Sequence, residues 1–188
     1  MCDALPRSSR RFLAIAGMLV VLAAWFPGAA SAAGELSAGG AAPAFTYRLI
    51  DGKTLTPAAL RGHPYVLWLV ATWCPSCEGG TAVMAQHIDE LRSRGVRVVE
   101  VEVANDLGYP GPPLTAFQKA AGMAAASPNW YWGELTETQT RLLDPHAYPD
   151  IYYLVDAHGR IVAIDGAPAA TWPRIATFVA SVCPSHCP

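Results

Sequence analysis

The sequence is poor in charged residues and lacks an excess of basic ones. Only 15% of its 188 residues are charged, and the formal net charge is −2. It shows no internal repeat and no long run of like charge. This composition argues against a nucleic-acid partner, which a basic face would recognise. The length allows one domain with a short appendage.

The longest apolar run lies at the N-terminus and is too short for a membrane-spanning helix. It covers residues 12–26, whereas a span needs roughly 20 apolar residues. A basic segment precedes it, and Ala30-Ser31-Ala32 provides an A-x-A cleavage pattern. The basic residues are Arg7, Arg10 and Arg11. We predict a signal peptide over residues 1–32 and a periplasmic or otherwise extracytoplasmic protein, with an uncleaved membrane anchor as the alternative.

The rest of the chain divides into a linker, a domain and a short tail. Residues 33–44 are rich in Ala, Gly and Pro and are typical of a linker. Residues 45–182 form the predicted domain, and residues 183–188 form a tail that contains a Cys-x-x-x-Cys pair.

Alternating strand and helix patterns predict an α/β domain. The apolar run Tyr65–Ala71 is typical of a strand buried on both faces, and a crossover helix and a second strand follow it. We predict a three-layer α/β/α sandwich with a mixed central sheet and an inserted helical segment. The predicted strands are 45–50, 65–71, 96–103, 151–155 and 160–164, and the predicted helices are 74–94, 114–126, 134–143 and one around 173–182.

Cys74 and Cys77 occur where a buried strand is expected to turn into a helix. The first turn of a helix has unpaired N–H groups and a partial positive charge, which favour the thiolate form of Cys74. That thiolate is the attacking species in disulfide exchange. Two intervening residues place Cys77 one turn further on, where it can close a disulfide with Cys74. Pro75 fits the first helical turn, where its missing N–H leaves no bond unmade.

A C-x-x-C pair also occurs in zinc sites and structural disulfides. Here Trp73 directly precedes the pair, and the sequence has neither a second C-x-x-C nor a histidine pair at zinc-finger spacing. These features favour redox chemistry. A structural disulfide and a metal site are the alternatives.

The segment Val70-Ala71-Thr72-Trp73-Cys74-Pro75-Ser76-Cys77 resembles the active site of thioredoxin-like proteins of the TlpA/ResA type. The stretch 148–161 is similar to that family's cis-proline strand and hairpin, and the resemblance covers roughly residues 43–182. It implies a thioredoxin-like fold and a thiol–disulfide oxidoreductase that uses no cofactor and forms a Cys74–Cys77 disulfide. It also implies a disulfide-containing protein substrate and a membrane electron donor. We expect a monomer.

The resemblance also assigns roles beside the cysteines. Pro149 would be a cis-proline packed against the pair, and Tyr148 would offer backbone hydrogen bonds to a bound substrate. The chain departs from the family at two positions. Trp68 stands where thioredoxins have a buried Asp, and Gly80 stands where some relatives have a Glu.

Two acids on one face of the strand 96–103 are candidates for the missing carboxylate. Glu100 and Glu102 alternate with valines on a strand expected at the centre of the sheet. We predict that one of them tunes Cys77. The alternative is a partly solvated face or structural ion pairs.

The tail carries Cys183 and Cys187 around His186. The simplest interpretation is a terminal Cys183–Cys187 disulfide. A second redox pair and a soft-metal site of Cys183, His186 and Cys187 are the alternatives. The aromatic cluster 129–132 is expected in the core or over the insertion, with substrate binding as the alternative.

Three further functions use the same cysteines. A disulfide oxidase differs from a reductase only in its reduction potential. A copper-binding chaperone would use the thiolates as ligands. A peroxidase is disfavoured because Ala71 stands where a Thr is expected there.

Overall fold

The computed structural model describes residues 35–120 and 127–182, which form a helix-flanked mixed sheet. The strands are β1 (Tyr47–Leu49), β2 (Thr54–Leu55), β3 (Tyr65–Val70), β4 (Arg97–Glu102), β5 (Trp130–Glu134), β6 (Ile151–Val155) and β7 (Ile161–Gly166). Their order in the sheet is β2-β1-β5-β4-β3-β6-β7. The predictions on the signal peptide and the tail pair lie outside the described residues.

The sheet is covered by helices on both faces. The helices are α1 (Pro57–Leu60), α2 (Pro75–Gln86), α3 (Ile88–Ser93), α4 (Leu114–Ala120), α5 (Glu137–Leu143) and α6 (Pro168–Ser181). Tyr152 bonds to Thr171 of α6, whereas its neighbour Tyr153 donates to the Leu143 carbonyl at the end of α5. Because successive strand residues point to opposite faces, α5 and α6 lie on opposite sides of the sheet. The predicted sandwich is confirmed. None of these helices, within the described ranges, has the length and apolar character to cross a membrane.

Strand β3 is the centre of the sheet. All six of its residues are buried, and it pairs in parallel with β4 and antiparallel with β6. A strand with a neighbour on each side and helices above and below has no solvated face, which explains its uninterrupted apolar sequence. Its C-terminal end therefore emerges from the middle of the sheet, and the cysteine pair follows there.

The inserted segment contains a strand that was not predicted, and residues 121–126 of the helix predicted over 114–126 lie outside the described residues. Between α4 and α5 the chain forms β5, which pairs in parallel with β4 and extends the sheet. Trp130 and Trp132 are buried there, and their rings stack with centroids 5.6 Å apart. The aromatic cluster thus belongs to the core, as expected, but as a strand that was not predicted.

Two helices are interrupted where a continuous helix was predicted. The helix expected over 74–94 divides at His87, whose φ/ψ of −108/11 separates α2 from α3. Helix α6 begins at Pro168, earlier than expected, and kinks at Thr171. Pro173 therefore lies inside the element, just after the kink, where its missing N–H is tolerated.

Candidate active site

The cysteine pair lies at the junction of β3 and α2. Cys74 is the N-cap of α2, Pro75 is its first residue, and the Sγ of Cys74 accepts a hydrogen bond from the backbone N–H of Cys77 at 3.3 Å. The Cys74 sulfur therefore satisfies one of the backbone N–H groups that the first turn of a helix leaves unpaired. The predicted placement of the motif is confirmed.

The two sulfurs differ in burial. Cys74 keeps 6% of its surface exposed and Cys77 none. Burial raises the pKa of the Cys77 thiol, and its interaction with Cys74 and the negative charge of Asp150 raise this pKa further. Both residues are free cysteines, so the structure shows the dithiol, and the Cys74–Cys77 disulfide stays a prediction. Cys74 is thus the accessible sulfur, and Cys77 is a protonated thiol behind it.

A left-handed turn holds the chain just before Cys74. Asn105, Asp106 and Leu107 have φ values of 52°, 51° and 58°, within the segment Ala104–Gly108. The Asp106 carboxylate accepts from the Thr72 backbone N–H and from the Thr72 hydroxyl, each at 2.7 Å. Both carboxylate oxygens are therefore used in fixing the approach to the cysteines.

Trp73 is fixed by the same turn. Its indole N–H donates to the Asp106 backbone carbonyl at 2.7 Å, and its ring lies 5.0 Å from that of Tyr109. Tyr109 is 63% exposed. An aromatic surface therefore borders the dithiol on this side, and Trp73 has a positioning role in keeping with its predicted place in the site.

The expectation of a cis-proline is wrong. The described residues contain no cis peptide bond, so the bond before Pro149 is trans. The chain makes its turn instead with left-handed residues on either side, Ala147 at φ 54° and Asp150 at φ 77°. Two backbone bonds hold Asp150, from its N–H to the Leu69 carbonyl and from the Ala167 N–H to its carbonyl, both at 2.9 Å.

Tyr148, the residue before Pro149, is the predicted substrate contact. Its side chain is 69% exposed, and its backbone N–H donates to the Asp144 carboxylate at 2.8 Å. Because this N–H is occupied, the backbone group that Tyr148 could offer a substrate is its carbonyl. In the predicted substrate contact, Tyr148 would use its backbone carbonyl as an acceptor or its phenol group.

Asp150 is a buried acid that the sequence analysis missed. It is 6% exposed, and its Oδ1 accepts from the Trp68 indole N–H at 3.2 Å. Burial raises its pKa, and hydrogen bonds from Ser76 and Trp68 offset part of that effect. Its position directly after Pro149, in a segment already expected to contact the cysteines, was the signal that could have identified it.

Trp68 and Gly80, the two residues at which the chain departs from the family pattern, are in contact with each other. A Cβ placed on Gly80 of α2 would lie 2.6 Å from the Trp68 ring. The indole therefore fills the space that a side chain at position 80 would need. The same indole donates to the carboxylate of Asp150, so the two positions that lack an acid lie near a buried one.

Glu100 is fully buried and is linked through Thr81 to the backbone at Cys77. Its carboxyl oxygens bond to the Thr81 hydroxyl at 2.8 Å and to the Trp130 indole N–H at 3.0 Å. The Thr81 hydroxyl also donates to the Cys77 carbonyl at 3.0 Å. Burial raises the pKa of Glu100 well above its usual value. A hydroxyl has one proton to donate, and the Thr81 hydroxyl donates it to the Cys77 carbonyl. A protonated Glu100 therefore donates its own proton to the Thr81 oxygen.

Glu102 belongs to a different environment. It is partly buried, and burial raises its pKa to about 7, with smaller contributions from Asp106 and Glu134. The structure therefore does not bring the two strand acids to the same place. Glu100 reaches Cys77 only through Thr81 and a backbone carbonyl, and the predicted tuning of Cys77 by either acid stays a prediction.

No group of three metal-ligating side chains occurs among residues 35–120 and 127–182. The alternative metal site of Cys183, His186 and Cys187 lies outside those ranges, and it too stays a prediction.

Comparison with known proteins agrees with this geometry. The AhpC/TSA family matches residues 38–124. The chain is 33% identical over 98 residues to sporulation thiol-disulfide oxidoreductase A of Bacillus subtilis, covering 52% of this chain and 57% of that protein. It is 25% identical over 132 residues to thiol-disulfide oxidoreductase ResA of the same organism, covering 69% and 68%. The resemblance to thioredoxin-like proteins of the TlpA/ResA type is confirmed.

Comparison with solved structures supports the thioredoxin-like fold. A crystal structure of a thiol:disulfide interchange protein of the thioredoxin family from Chlorobium tepidum has a TM-score of 0.57 and 24% identity. It covers 76% of this chain and 97% of the other. This thioredoxin-like chain thus spans the whole of a known fold but little more than half of the first curated relative.

Proposed function

We propose that the protein is an exported thiol–disulfide oxidoreductase that reduces disulfides in protein substrates through Cys74 and Cys77. The observation that carries the proposal is the asymmetry of the pair. One sulfur caps a helix and accepts an amide hydrogen bond, while the other is fully buried one turn behind it. Its relatives are named as thiol–disulfide oxidoreductases, which supports the same chemistry.

The reaction follows from the roles of the two sulfurs. The Cys74 thiolate attacks one sulfur of the substrate disulfide, forming a mixed disulfide, and the other substrate sulfur leaves and takes up a proton. Cys77 then loses its proton and attacks the Cys74 Sγ. The Cys74–Cys77 disulfide forms, and the second substrate thiol is released. Two electrons pass from the dithiol to the substrate.

The position of the site suits a protein substrate and a protein donor. The ring of Trp73, beside Cys74, contacts the exposed ring of Tyr109, and aromatic side chains are common contacts at protein interfaces. In the proposal a membrane electron donor returns two electrons and two protons to the Cys74–Cys77 disulfide, and the protein acts outside the cytoplasm as a monomer.

The test is reduction of a disulfide-bonded protein such as insulin by the mature chain. Cys74→Ser should abolish turnover, and Cys77→Ala should accumulate a mixed disulfide on Cys74. A Cys183→Ser/Cys187→Ser chain is the matched control and should retain turnover. Turnover that survives Cys74→Ser would contradict the proposal.

Equilibration in dithiothreitol or glutathione buffers tests the direction. A reduction potential of about −270 mV or lower is that of a reductase, whereas a value near about −120 mV is that of an oxidase and would overturn the assigned direction.

A further inference from the structure

We propose that Asp150 accepts the proton of Cys77 when Cys77 attacks the mixed disulfide. The inference rests on the proposed function and adds a residue to it. The step balances as follows: the Asp150 carboxylate takes the thiol proton, the Cys77 sulfur bonds to the Cys74 Sγ, and the Cys74–substrate bond breaks. The departing thiolate leaves with the bonding electron pair, and the proton held on Asp150 is later lost to water or to that thiolate.

The backbone at Asp150 is held in a strained conformation. A residue other than glycine at φ 77° is uncommon and persists where the surroundings fix it. Here bonds to Leu69 of β3 and to Ala167 before α6 fix it from two sides. Such outliers cluster at functional sites. The fold therefore maintains this conformation and with it the burial of the carboxyl group.

Asp150 lies at the end of β3 from which the cysteine segment continues. Its backbone N–H donates to the Leu69 carbonyl at 2.9 Å, and its Oδ1 accepts from the indole of Trp68, also in β3. Its negative charge raises the pKa of the Cys77 thiol. A hydrogen bond from Ser76, whose hydroxyl lies 3.2 Å from the Cys74 Sγ, lowers the pKa of Asp150.

No cation among residues 35–120 and 127–182 contributes to the pKa of Asp150. The titratable groups that interact with it are Cys77 on α2 and Glu100 on β4, both acids. The first turn of α6, which begins after Ala167, carries no charged side chain. Among the described residues, hydrogen bonds from Ser76 and Trp68 stabilise the carboxylate against burial. A buried carboxylate held in this way can take up a proton and release it again.

Asp150 has two opposing effects on Cys77. Its negative charge makes the thiolate less stable, whereas its basicity gives the thiol proton a nearby acceptor. The first effect predicts that removing the charge speeds resolution, and the second predicts that it slows resolution. The sign of the change therefore decides between a proton acceptor and a merely repelling charge.

The experiment follows the reaction of the reduced Cys183→Ser/Cys187→Ser chain with the chromogenic disulfide of 5-thio-2-nitrobenzoate by stopped flow. The first equivalent of coloured thiolate reports attack by Cys74, and the second reports resolution by Cys77. The proposed function fails if the first phase is absent. The present inference concerns the second phase alone, so the two failures are distinguishable.

Asp150→Asn is the decisive variant. Asn tolerates a positive φ and keeps an oxygen for the Trp68 indole, so only the titrating group is lost. We expect an unchanged first phase and a second phase about 100-fold slower at pH 7. The difference should shrink by about tenfold per pH unit as Cys77 ionises to solvent. Asp150→Glu, which restores a carboxyl group, should recover part of the rate.

A second phase in Asp150→Asn that is as fast as that of the parent chain, or faster, at pH 7 overturns the inference. So does a slowing found only in Glu100→Gln. Trp68→Phe gives an independent readout, because losing the indole donor should raise the pKa of Asp150 and move the rise of the second phase to higher pH. Asp165→Asn, at a partly buried acid that pairs with Arg174 of α6, is the control for a general loss of charge.

Discussion

Two aspartates flank the end of β3, and the fold treats them differently. Asp106 lies in a left-handed turn, and both of its carboxylate oxygens accept hydrogen bonds from Thr72. Asp150 also has a left-handed backbone, but its carboxylate accepts one bond from the Trp68 indole and shares another with Ser76. The first carboxylate is committed to holding the backbone, whereas the second keeps lone pairs next to a thiol.

The comparison shows how burial alone fails to define a role. Both aspartates are 6% exposed, and both are reached by a chain that bends through positive φ. The two aspartates differ in how many hydrogen-bond donors occupy the oxygens of their carboxylates. A carboxylate whose oxygens are occupied by backbone and hydroxyl donors fixes geometry, and one with spare acceptor capacity can exchange a proton.

The largest expected effect is on stability, from Asp106→Ala. The change leaves the buried Thr72 N–H without an acceptor and removes two charge-assisted bonds, so the free energy of unfolding should fall by about 3 kcal/mol. Urea unfolding of the oxidised chain measures it. Asp150→Asn is the comparison variant and should be more stable than the parent chain at pH 7, because the native pKa of Asp150 is raised and ionising it opposes folding. Equal losses in the free energy of unfolding in both variants would show that the two aspartates do not have different roles.

A smaller loss is expected from Gly80→Ala. The added methyl would meet the Trp68 ring and displace the indole that bonds to Asp150. We expect the free energy of unfolding to fall by about 2 kcal/mol. Gly79→Ala is the matched control, since a Cβ there meets nothing within 4 Å and Ala favours a helix by up to about 1 kcal/mol. Parallel denaturation curves decide it, and a stabilised Gly80→Ala chain would show that the ring has room to move.

The pH dependence of stability should change by a still smaller amount in Glu102→Gln. The pKa of Glu102 rises from 4.5 to about 7 on folding, so the native state binds the proton more tightly. Stability from this residue is therefore lost as the pH rises from about 4.5 to about 7. With allowance for solvent screening at this partly exposed site, the loss is about 1 kcal/mol. Glu102→Gln should flatten the unfolding free energy over that range. If Glu102→Gln leaves the pH dependence of the unfolding free energy unchanged, the Glu102 carboxyl group is solvated in the folded protein.

The smallest effect on stability is expected from Tyr148→Ala. The ring is 69% exposed, so unfolding should change by less than about 0.5 kcal/mol. The KM for a protein disulfide should rise about fivefold, because a truncated interface aromatic loses roughly 1 kcal/mol of binding. The KM for a small disulfide such as oxidised glutathione should not change. A matching rise for both substrates would mean that the ring shapes the dithiol and does not contact the protein substrate.

The parts of the fold governed by local patterns were predictable from the sequence. The apolar run of β3, the turn into α2 at Cys74 and the β6–β7 hairpin all have short-range signals, and each lies where it was expected. Strand β5 was missed because three large aromatics in a row match a core helix or a cover as well as they match a strand. Its place beside β4 depends on long-range pairing that no local pattern contains.

The site was predictable in its sulfurs but not in its acid. Strand alternation puts Glu100 and Glu102 on one face, and that much is correct. Alternation does not show that Thr81 and Trp130 occupy Glu100, or that Glu102 lies near Asp106 and Glu134. The approach of Asp150 requires a positive φ after a proline, which few sequences reveal for a residue other than glycine or asparagine.

The contact between Trp68 and Gly80 also limits which substitutions these two positions can accept. A larger side chain at position 80 is blocked while the indole remains, and a smaller one at position 68 opens a void and removes the donor to Asp150. The two positions should therefore change together or not at all. An acidic side chain at position 80 of α2 would require the loss of Trp68. Asp150 would then lose the indole hydrogen bond that stabilises its carboxylate.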